Sequence, residues 1–363
     1  MLEFKNNTFK IMQIADTQEG AKVSPDTIKL ITAALEQENP DLVVYSGDQI
    51  WNKSQFHGKR DKVKSVLSQL TAPVRSRNIP FTVCFGNHDR QVGLSNKEQF
   101  EIYKELDGFI GKDTEGIDGC ANHVIEISAD GELKYLLYLI DSNTSLDIGY
   151  DNVHKNQIDW YRKTRDSYEE KYGRLIPSIV IQHIPLCEIF ELLTEVKKNT
   201  RGAVRGFRSH AKKFYILNSD KVNKGGFMKE SPADPQENSG EFDAFKEKGE
   251  VLGVYFGHDH NNSFNGKVDG IDLGYTQGAG FHVYGPGKNR GVRIIELKKD
   301  GSFGTYDLRY RQLVGEKLDE PLHYAFYQIM PTNLFDAVTR AVKFFASIGI
   351  IAIIIILLFF FFK

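Results

Sequence analysis

Five short apolar runs along the chain each stop at a polar residue that could bind a metal ion. The runs are FKIMQIAD, DLVVYSGD, FTVCFGNHD, SIVIQHIP and VLGVYFGHDH, and they are rich in β-branched and aromatic residues. Continuous apolar runs bounded by turn residues are typical of strands buried on both faces of an α/β sheet. The pattern therefore predicts buried strands whose ends carry side chains suited to chemistry.

The segment between the first two runs predicts a helix. In SPDTIKLITAALEQENP, Ser24 and Pro25 mark the start, apolar residues recur at helical spacing, and Pro40 closes the segment. Strand, helix and strand make a βαβ unit, and in open α/β sheets the ligand site lies beyond the carboxyl ends of the strands. We therefore expect the polar residues at the strand ends to converge: Asp16, Asp48, Asn87, His183 and His258.

Two later stretches have the pattern of β-hairpins. HVIEISADGELKYLLYLID turns at Asp130 and Gly131, and GVRIIELKKDGSFGTYDLRY turns at Asp300 and Gly301, which predicts a second, partly antiparallel sheet. The region from about residue 188 to 250 is polar and rich in glycine and proline. It predicts a long loop beside the site, either a lid or a tolerated insertion.

The composition is that of an ordinary globular protein. The 363 residues are 41% hydrophobic, enough to bury the core of one large domain or two small ones. The formal net charge of -2, with no basic tract, does not favour nucleic acid as a partner. The three cysteines lie far apart without CxxC spacing, so they indicate neither a disulfide framework nor a thiolate zinc site.

The C-terminal run FFASIGIIAIIIILLFFFF contains 19 uncharged residues, 344 to 362. At 1.5 Å per residue it would cross roughly 30 Å of hydrocarbon, and a buried core helix is rarely apolar on every face. Arg340 and Lys343 precede the run, and the N-terminal segment lacks the apolar core of a secretory signal. These features predict a membrane protein anchored by its C-terminal tail, with the large domain in the cytosol.

The chain is accordingly expected to have three parts. A catalytic domain would cover residues 1 to 328, a juxtamembrane segment 329 to 343 and a transmembrane helix 344 to 362. The membrane is then a partner of the protein through this last helix.

The strand-end residues form an ordered set of motifs. Asp16, GD at residues 47 and 48, GNHD at 86 to 89, His183 and GHDH at 257 to 260 follow one another along the chain. A single Gly-Asp pair is usually a turn, but turns alone do not explain the ordered set. The set resembles the calcineurin-like metallophosphoesterases, and GHDHNNSFNG together with NSGEFDAF is similar to the small purple-acid-phosphatase-like proteins of plants and fungi.

This resemblance covers residues 8 to 310 and implies an α/β fold, a β-sandwich of mixed sheets flanked by helices. It also implies a centre with two divalent metal ions, Mn, Fe or Zn, that share one carboxylate. Imidazole and oxygen ligands suit these metals. One metal would be held by Asp16, Gln18, Asp48 and His260. The other would be held by Asp48, Asn87, His183 and His258.

The resemblance further implies roles for two residues that follow a metal ligand. His88 would stabilise the transition state and protonate the leaving group, and Asp89 would orient the His88 ring. His282, in GAGFHVYG, follows a glycine-rich turn near the predicted site and is a candidate for contact with substrate.

Two positions depart from the family pattern. Gln18, in ADTQEG, stands where most relatives of this subgroup have histidine, and its amide oxygen can still bind a hard cation, with weaker affinity. Trp51, in GDQIW, stands where purple acid phosphatases place a tyrosinate on ferric iron, and indole nitrogen is only a donor. We therefore predict a colourless enzyme that uses divalent metals.

The predicted activity is hydrolysis of phosphate monoesters by a hydroxide shared between the two metals, with His88 as the general acid. A phosphodiesterase is an alternative, because the same metals accept diesters. A non-catalytic scaffold is a second alternative, in which the fold remains and a metal has been lost through Gln18.

Overall fold

The computed structural model describes residues 2–329 and 337–349 of the chain. The strands are β1 (Leu2–Glu3), β2 (Thr8–Ile14), β3 (Leu42–Ser46), β4 (Phe81–Cys84), β5 (His123–Ala129), β6 (Glu132–Leu139), β7 (Ser178–Ile181), β8 (Leu193–Val196), β9 (Val204–Arg205), β10 (Phe214–Leu217), β11 (Phe227–Met228), β12 (Val251–Phe256), β13 (Asn262–Ser263), β14 (Asn265–Val268), β15 (Ile271–Tyr275), β16 (Gly291–Lys298) and β17 (Phe303–Arg309). The helices are α1 (Pro25–Glu38), α2 (Lys53–Phe56), α3 (Arg60–Arg75), α4 (Asn96–Lys104), α5 (Lys155–Tyr172), α6 (Glu241–Lys246), α7 (Tyr310–Leu313) and α8 (Pro321–Ile329), and residues 337–349 are also helical.

Two large mixed sheets form the centre of the described part of the chain. One has seven strands in the order β1-β5-β6-β7-β12-β15-β14, and the other has five in the order β17-β16-β2-β3-β4. The strands β2, β3 and β4 run parallel to one another, and so do β6, β7, β12 and β15. This is the mixed α/β architecture that the sequence predicts.

Apolar side chains on both faces of the strands build three layers of core. Along β2, Ile11 belongs to the cluster between the two sheets, whereas Met12 packs with α1 and α3 on the outer face. Along β6, Leu137 lies between the sheets and Tyr138 packs with α5 and α6. Successive strand residues point to opposite faces, so burial of both faces requires the unbroken apolar runs seen in the sequence.

The local elements predicted from the sequence are present. Helix α1 begins after Ser24, whose side chain accepts the backbone N–H of Thr27, and ends at Asn39 in a left-handed conformation. The strands β5 and β6 form an antiparallel hairpin with Asp130 and Gly131 at positive φ. The strands β16 and β17 form the second hairpin, with Gly301 at φ 89. Both predicted Asp-Gly turns are confirmed.

The prediction of a long loop between residues 188 and 250 is wrong. This segment contains β8, β9 and β10, which form a three-stranded sheet, and also β11 and α6. The strand β11 pairs with β13, which follows the GHDH motif directly. These strands have two to four residues and are partly polar, so they carry little of the alternation that identifies a strand in a sequence. The segment therefore packs as an ordered layer beside the motif.

No helix in the described ranges, 2–329 and 337–349, is both long enough and apolar enough to span a bilayer. Most of the run expected to form a transmembrane helix, residues 350 to 362, lies outside the described residues. The transmembrane helix therefore stays a prediction.

Candidate metal centre

The carboxyl ends of strands from both sheets meet at one edge of the sandwich. The strands β2, β3 and β4 come from one sheet, and β7 and β12 come from the other. The approach is very close, because a Cβ atom on Gly47 would lie only 2.4 Å from His183 Nδ1 of the other sheet. Of the residues that follow these strands, Asp16, Asp48, His183 and His258 bring their side-chain ligand atoms together, and Asn87 follows β4 at the same edge.

Three of these residues have a left-handed backbone. Their φ angles are 52 for Asp16, 53 for Asp48 and 74 for His258. Non-glycine residues seldom adopt this conformation, and such strain concentrates at functional sites. The chain therefore accepts an unfavourable backbone conformation at these turns, and the turns direct the three side chains towards the site.

Two groups of possible ligand atoms lie close together and share one residue. Asp48, His183 and His258 form one group, and Asp16, Asp48 and His260 form the other, with ligand atoms within 4.8 Å of one another in each. His183 Nε2 lies 3.3 Å from Asp48 Oδ2, and His260 Nε2 lies 3.4 Å from Asp16 Oδ1. Asp48 therefore occupies the position that a bridging carboxylate requires.

Backbone carbonyls fix the orientation of two imidazoles. The Nδ1 atoms of His183 and His260 lie 3.0 Å from the carbonyl oxygens of Ser46 and Tyr284, respectively. An Nδ1–H that donates to a carbonyl leaves the Nε2 lone pair free, which is the usual arrangement of metal-bound histidine. In both residues Nε2 faces the carboxylates.

Several buried polar atoms of the site have no hydrogen-bond partner. They are Asp16 Oδ1, Asn87 Oδ1, His183 Nε2 and His258 Nε2. Asn87 donates its amide nitrogen to Ser145 Oγ at 3.2 Å, which leaves its oxygen available. Unpartnered buried polar atoms are unfavourable, and carboxylate, amide and imidazole donors suit divalent cations. The residues present therefore fit two metal ions.

The carboxylates of the site favour positive charge on one histidine and not on the other. Burial alone would lower the pKa of His183, but the charges of Asp48 and Asp16 outweigh it and raise the pKa to about 10. Burial lowers the pKa of His258 well below its usual value, and the charge of His183 adds to this effect. A bound cation would take the place of the proton that the carboxylates draw to His183.

Gln18 lies beside the centre, with its amide nitrogen in the contact. Its Nε2 donates to Asp48 Oδ2 at 2.9 Å, and its backbone has φ 37. Rotation of the amide by half a turn would exchange nitrogen for oxygen, because the two ends of an amide have the same shape. Gln18 is thus placed beside the shared carboxylate, where the resemblance puts a ligand.

The expectation that Asp89 orients the His88 ring is wrong. Both carboxylate oxygens of Asp89 accept backbone N–H groups, and His88 Nδ1 has no hydrogen-bond partner. Burial, together with the charge of Asp48, raises the pKa of Asp89 to about 8, while the amide donors act in the opposite direction. Asp89 holds two turns together through the N–H groups of Asp48, Gln49, Ile50 and Gly86.

His88 lies at the rim of the centre. It is half-buried, and its backbone N–H donates to Asp48 Oδ1 at 2.8 Å. The Trp51 ring packs edge-to-face against it with 6.5 Å between the ring centroids. His88 is therefore more exposed than the candidate metal ligands, which are all buried.

The sequence analysis missed two aromatic residues that support the ligands. Tyr150 packs against the His258 ring at 4.3 Å, and Tyr284 stacks on the His260 ring at 4.2 Å. Neither belongs to a recognisable motif, so only the folded chain identifies them. His282 lies outside both ligand groups and contacts Glu320 at 2.7 Å. Its contact with substrate stays a prediction.

The fold and the site together define an α/β protein with two groups of candidate metal ligands that have Asp48 in common. A family model described as calcineurin-like phosphoesterase matches residues 9–262, more than half of the chain. The chain belongs to this family, which confirms the resemblance stated above.

Curated relatives include plant and yeast phosphatase-like proteins. The chain is 29% identical over 344 residues to probable inactive purple acid phosphatase 14 of Arabidopsis thaliana, covering 82% of this chain and 78% of the relative. It is 26% identical to phosphatase DCR2 of Saccharomyces cerevisiae, covering 56% of this chain and 39% of that protein. A solved dimetal phosphatase from Danio rerio is 11% identical, with 83% of this chain and 99% of that chain covered and a TM-score of 0.49.

Proposed function

We propose that this protein is a phosphomonoesterase that uses two divalent metal ions. The observation that carries the proposal is the set of buried, unpartnered ligand atoms of Asp16, Asn87, His183 and His258 around Asp48. A scaffold without metals would still pair His183 with Asp48 and His260 with Asp16. It would leave Asn87 Oδ1 and His258 Nε2 unsatisfied, at an energetic cost of about 1–3 kcal/mol each. Retention of the set favours a working metal centre.

The metals would be held by the residues that converge at the strand ends. Asp16, Gln18, Asp48 and His260 would bind one ion, and Asp48, Asn87, His183 and His258 would bind the other. When bound, the two ions would lower the pKa of water towards 7 and polarise the phosphoryl group of the substrate. Ser46 and Tyr284 would fix the ring orientation of the histidines through their carbonyl oxygens.

His88 is the residue we assign to proton transfer. Its Nδ1 is buried, so Nε2 is the nitrogen that a substrate can reach. Packing of Trp51 against the ring restricts its motion, which favours a defined position for the transferred proton. His88 would give this proton to the oxygen of the leaving group. Asp89 would act indirectly, by holding the turn that carries His88.

The alternatives differ in what a purified protein would bind and cleave. The Arabidopsis relatives are named probable inactive purple acid phosphatases, and Gln18 stands where the resemblance implies a histidine. These two facts motivate the scaffold alternative. The experiment is metal analysis of the purified protein, followed by hydrolysis of p-nitrophenyl phosphate and bis-p-nitrophenyl phosphate with Mn, Zn or Fe. Metal-dependent cleavage of the monoester supports the proposal, whereas faster diester cleavage selects the phosphodiesterase. Failure to bind a second metal at the Gln18 site, without cleavage of either ester, selects the scaffold.

We also infer that residues 344 to 362 anchor the protein in a membrane, with the catalytic domain, residues 1 to 328, in the cytosol. The support is the uncharged run of 19 residues and the two basic residues that precede it. Carbonate extraction of membranes from cells that express the full chain, or a chain ending at residue 343, tests the anchor. The full chain should stay with the membranes and the shortened chain should be released. Protease protection of intact vesicles reports the side on which the domain lies.

A further inference from the structure

Three side chains outside the metal centre converge at the start of α8. His282 Nε2 lies 2.7 Å from Glu320 Oε2, and His323 Nδ1 lies 3.5 Å from the same oxygen. One ligand atom from each of the three residues lies within 4.8 Å of the others. The family model ends before these residues, and none of them belongs to the centre described above.

His282 is oriented in the way that metal-bound histidines are. Its Nδ1 lies 3.2 Å from the carbonyl oxygen of Lys22 and 3.5 Å from Glu19 Oε2, so this nitrogen donates a proton to acceptors behind the ring. Its Nε2–H donates to Glu320 Oε2, and a bound cation would replace this proton and take the nitrogen lone pair. Glu19 is fully buried, and its Oε1 has no hydrogen-bond partner. The site therefore has a buried carboxylate behind one imidazole, which favours a cation in front of it.

Glu320 directly precedes α8 and His323 lies in its first turn, where the two side chains meet at 3.5 Å. A glutamate three residues before a histidine is the spacing of the Glu-x-x-His motif that binds metals in helical bundles. The backbone N–H of Glu320 donates to Asp26 Oδ2 at 3.0 Å, which fixes this end of the helix. Lys22 pairs with Oε1 of Glu320, which leaves Oε2 for the imidazoles.

We propose that His282, Glu320 and His323 form a third divalent-metal site that binds zinc. Two imidazoles and one carboxylate are a zinc donor set that leaves a fourth position open. Tetrahedral zinc with these ligands places the donor atoms about 3.3 Å apart, so the His323 contact already fits and the His282 contact would lengthen by about 0.6 Å. The fourth position would be filled by water or by an anionic group.

The open position is accessible from a cavity of about 160 Å³. Both histidines line this cavity, and Trp51 and Tyr327 form other parts of its wall. Trp51 also packs against His88, so the cavity lies one side chain away from the proposed general acid. Bound zinc would tie α8 to the loops that carry Glu19 and His282. Occupancy should therefore stabilise the contact between α8 and the rest of the domain.

The test measures zinc stoichiometry and thermal stability of the full chain in detergent. After removal of metals with a chelator and dialysis against buffered free zinc, the protein should hold three zinc ions per chain, and His323→Gln should hold two. The His323 side chain is 57% exposed, so the substitution should leave the fold intact. The zinc-dependent rise in Tm should also be smaller in His323→Gln.

Three further variants separate the loss of a zinc ligand from the loss of a nearby charge and from the loss of the two-metal centre. Asp319→Asn removes the adjacent carboxylate, which pairs with Lys29, and should keep all three zinc ions. Asp48→Asn should still bind zinc at the third site with unchanged affinity. Glu19→Gln should weaken zinc binding at this site by roughly 10- to 100-fold, the usual effect of a residue that orients a ligand. Equal stoichiometry in the wild type and His323→Gln overturns the proposal, and so does an equal loss in Asp319→Asn.

Discussion

His183 Nε2 lies 3.3 Å from Asp48 Oδ2, although the two residues follow strands of different sheets. This contact joins the two halves of the sandwich at the metal centre, and both side chains are essentially excluded from solvent. A buried imidazole and a buried carboxylate at this distance, with further unpartnered donors around them, are best satisfied by a cation between them. Five predictions follow from this geometry and from the surrounding residues.

Asp48→Asn should remove the metal centre. The carboxylate is common to both ligand groups, and asparagine has one oxygen and no charge. Metal content measured by mass spectrometry should fall by two ions per chain. Phosphatase activity should drop by at least about 10³-fold, because metals contribute several kcal/mol of charge stabilisation. Asp61→Asn, at an exposed position on α3, is the matched control, and unchanged metal content in Asp48→Asn would contradict the assignment.

His88→Ala should reduce turnover by on the order of 10²-fold or more, the usual effect of losing a positioned proton donor. Metal content should not change, because the ring belongs to neither ligand group. The loss should be larger for an alkyl phosphate than for p-nitrophenyl phosphate, whose leaving group needs little protonation. An equal loss for both substrates would point to a structural effect in place of proton transfer.

Gln18→His should strengthen binding of the metal that Asp16 and His260 are proposed to hold. The side chain already contacts Asp48, and imidazole is a better ligand than an amide for Zn and Fe. Metal titration followed by calorimetry should give tighter binding at one of the two sites that share Asp48 and leave the other unchanged. Gln18→Ala is the counterpart and should weaken the same site. Identical titrations for all three proteins would exclude Gln18 from the centre.

Gly86→Ala should destabilise the protein and disturb the shared carboxylate. A Cβ atom at this position would lie 2.2 Å from Asp48 Oδ1 and 2.6 Å from its backbone nitrogen. We expect a loss of about 1–3 kcal/mol in the free energy of unfolding, the usual range for overpacking, together with weaker metal binding. Gly304→Ala is the control, since a Cβ atom there meets no atom within 4 Å and the change should stay within about 0.5 kcal/mol. Denaturant unfolding measures both.

His123 should make stability depend on pH between 6.5 and 4. Burial lowers the pKa of this histidine from 6.5 to about 4. In this range the unfolded chain binds more protons at His123 than the folded chain, so this residue makes stability rise with pH and level off above 6.5. The shift corresponds to about 3 kcal/mol lost on acidification.

The variant His123→Gln should remove this part of the pH dependence. The readout is the difference between the wild type and the variant in the free energy of unfolding, measured at several pH values. His57→Gln, at an exposed position, controls for replacement of a histidine as such. Parallel curves for the wild type and His123→Gln would contradict the prediction.

The sequence by itself determined the features that depend on neighbouring residues. Apolar runs that stop at a polar residue placed Asp16, Asp48 and Asn87 directly after strands, because a strand buried on both faces needs such a run. Ser24 capped its helix, and the Asp-Gly pairs formed their hairpin turns, because turn and cap geometry is set within a few residues. The order of the motifs then indicated the family and the ligand set.

Only the tertiary structure decided which groups meet across long distances in sequence. A buried carboxylate such as Asp89 can accept hydrogen bonds from any donor nearby. Packing of the two turns places four backbone N–H groups within reach of Asp89, and these donate to it in place of the His88 ring. The short strands between 188 and 250 form through pairing that their own pattern does not encode: β8, β9 and β10 pair with one another, and β11 pairs with β13. His282 and Glu320 are 38 residues apart and meet because α8 packs against the domain, which no local periodicity encodes.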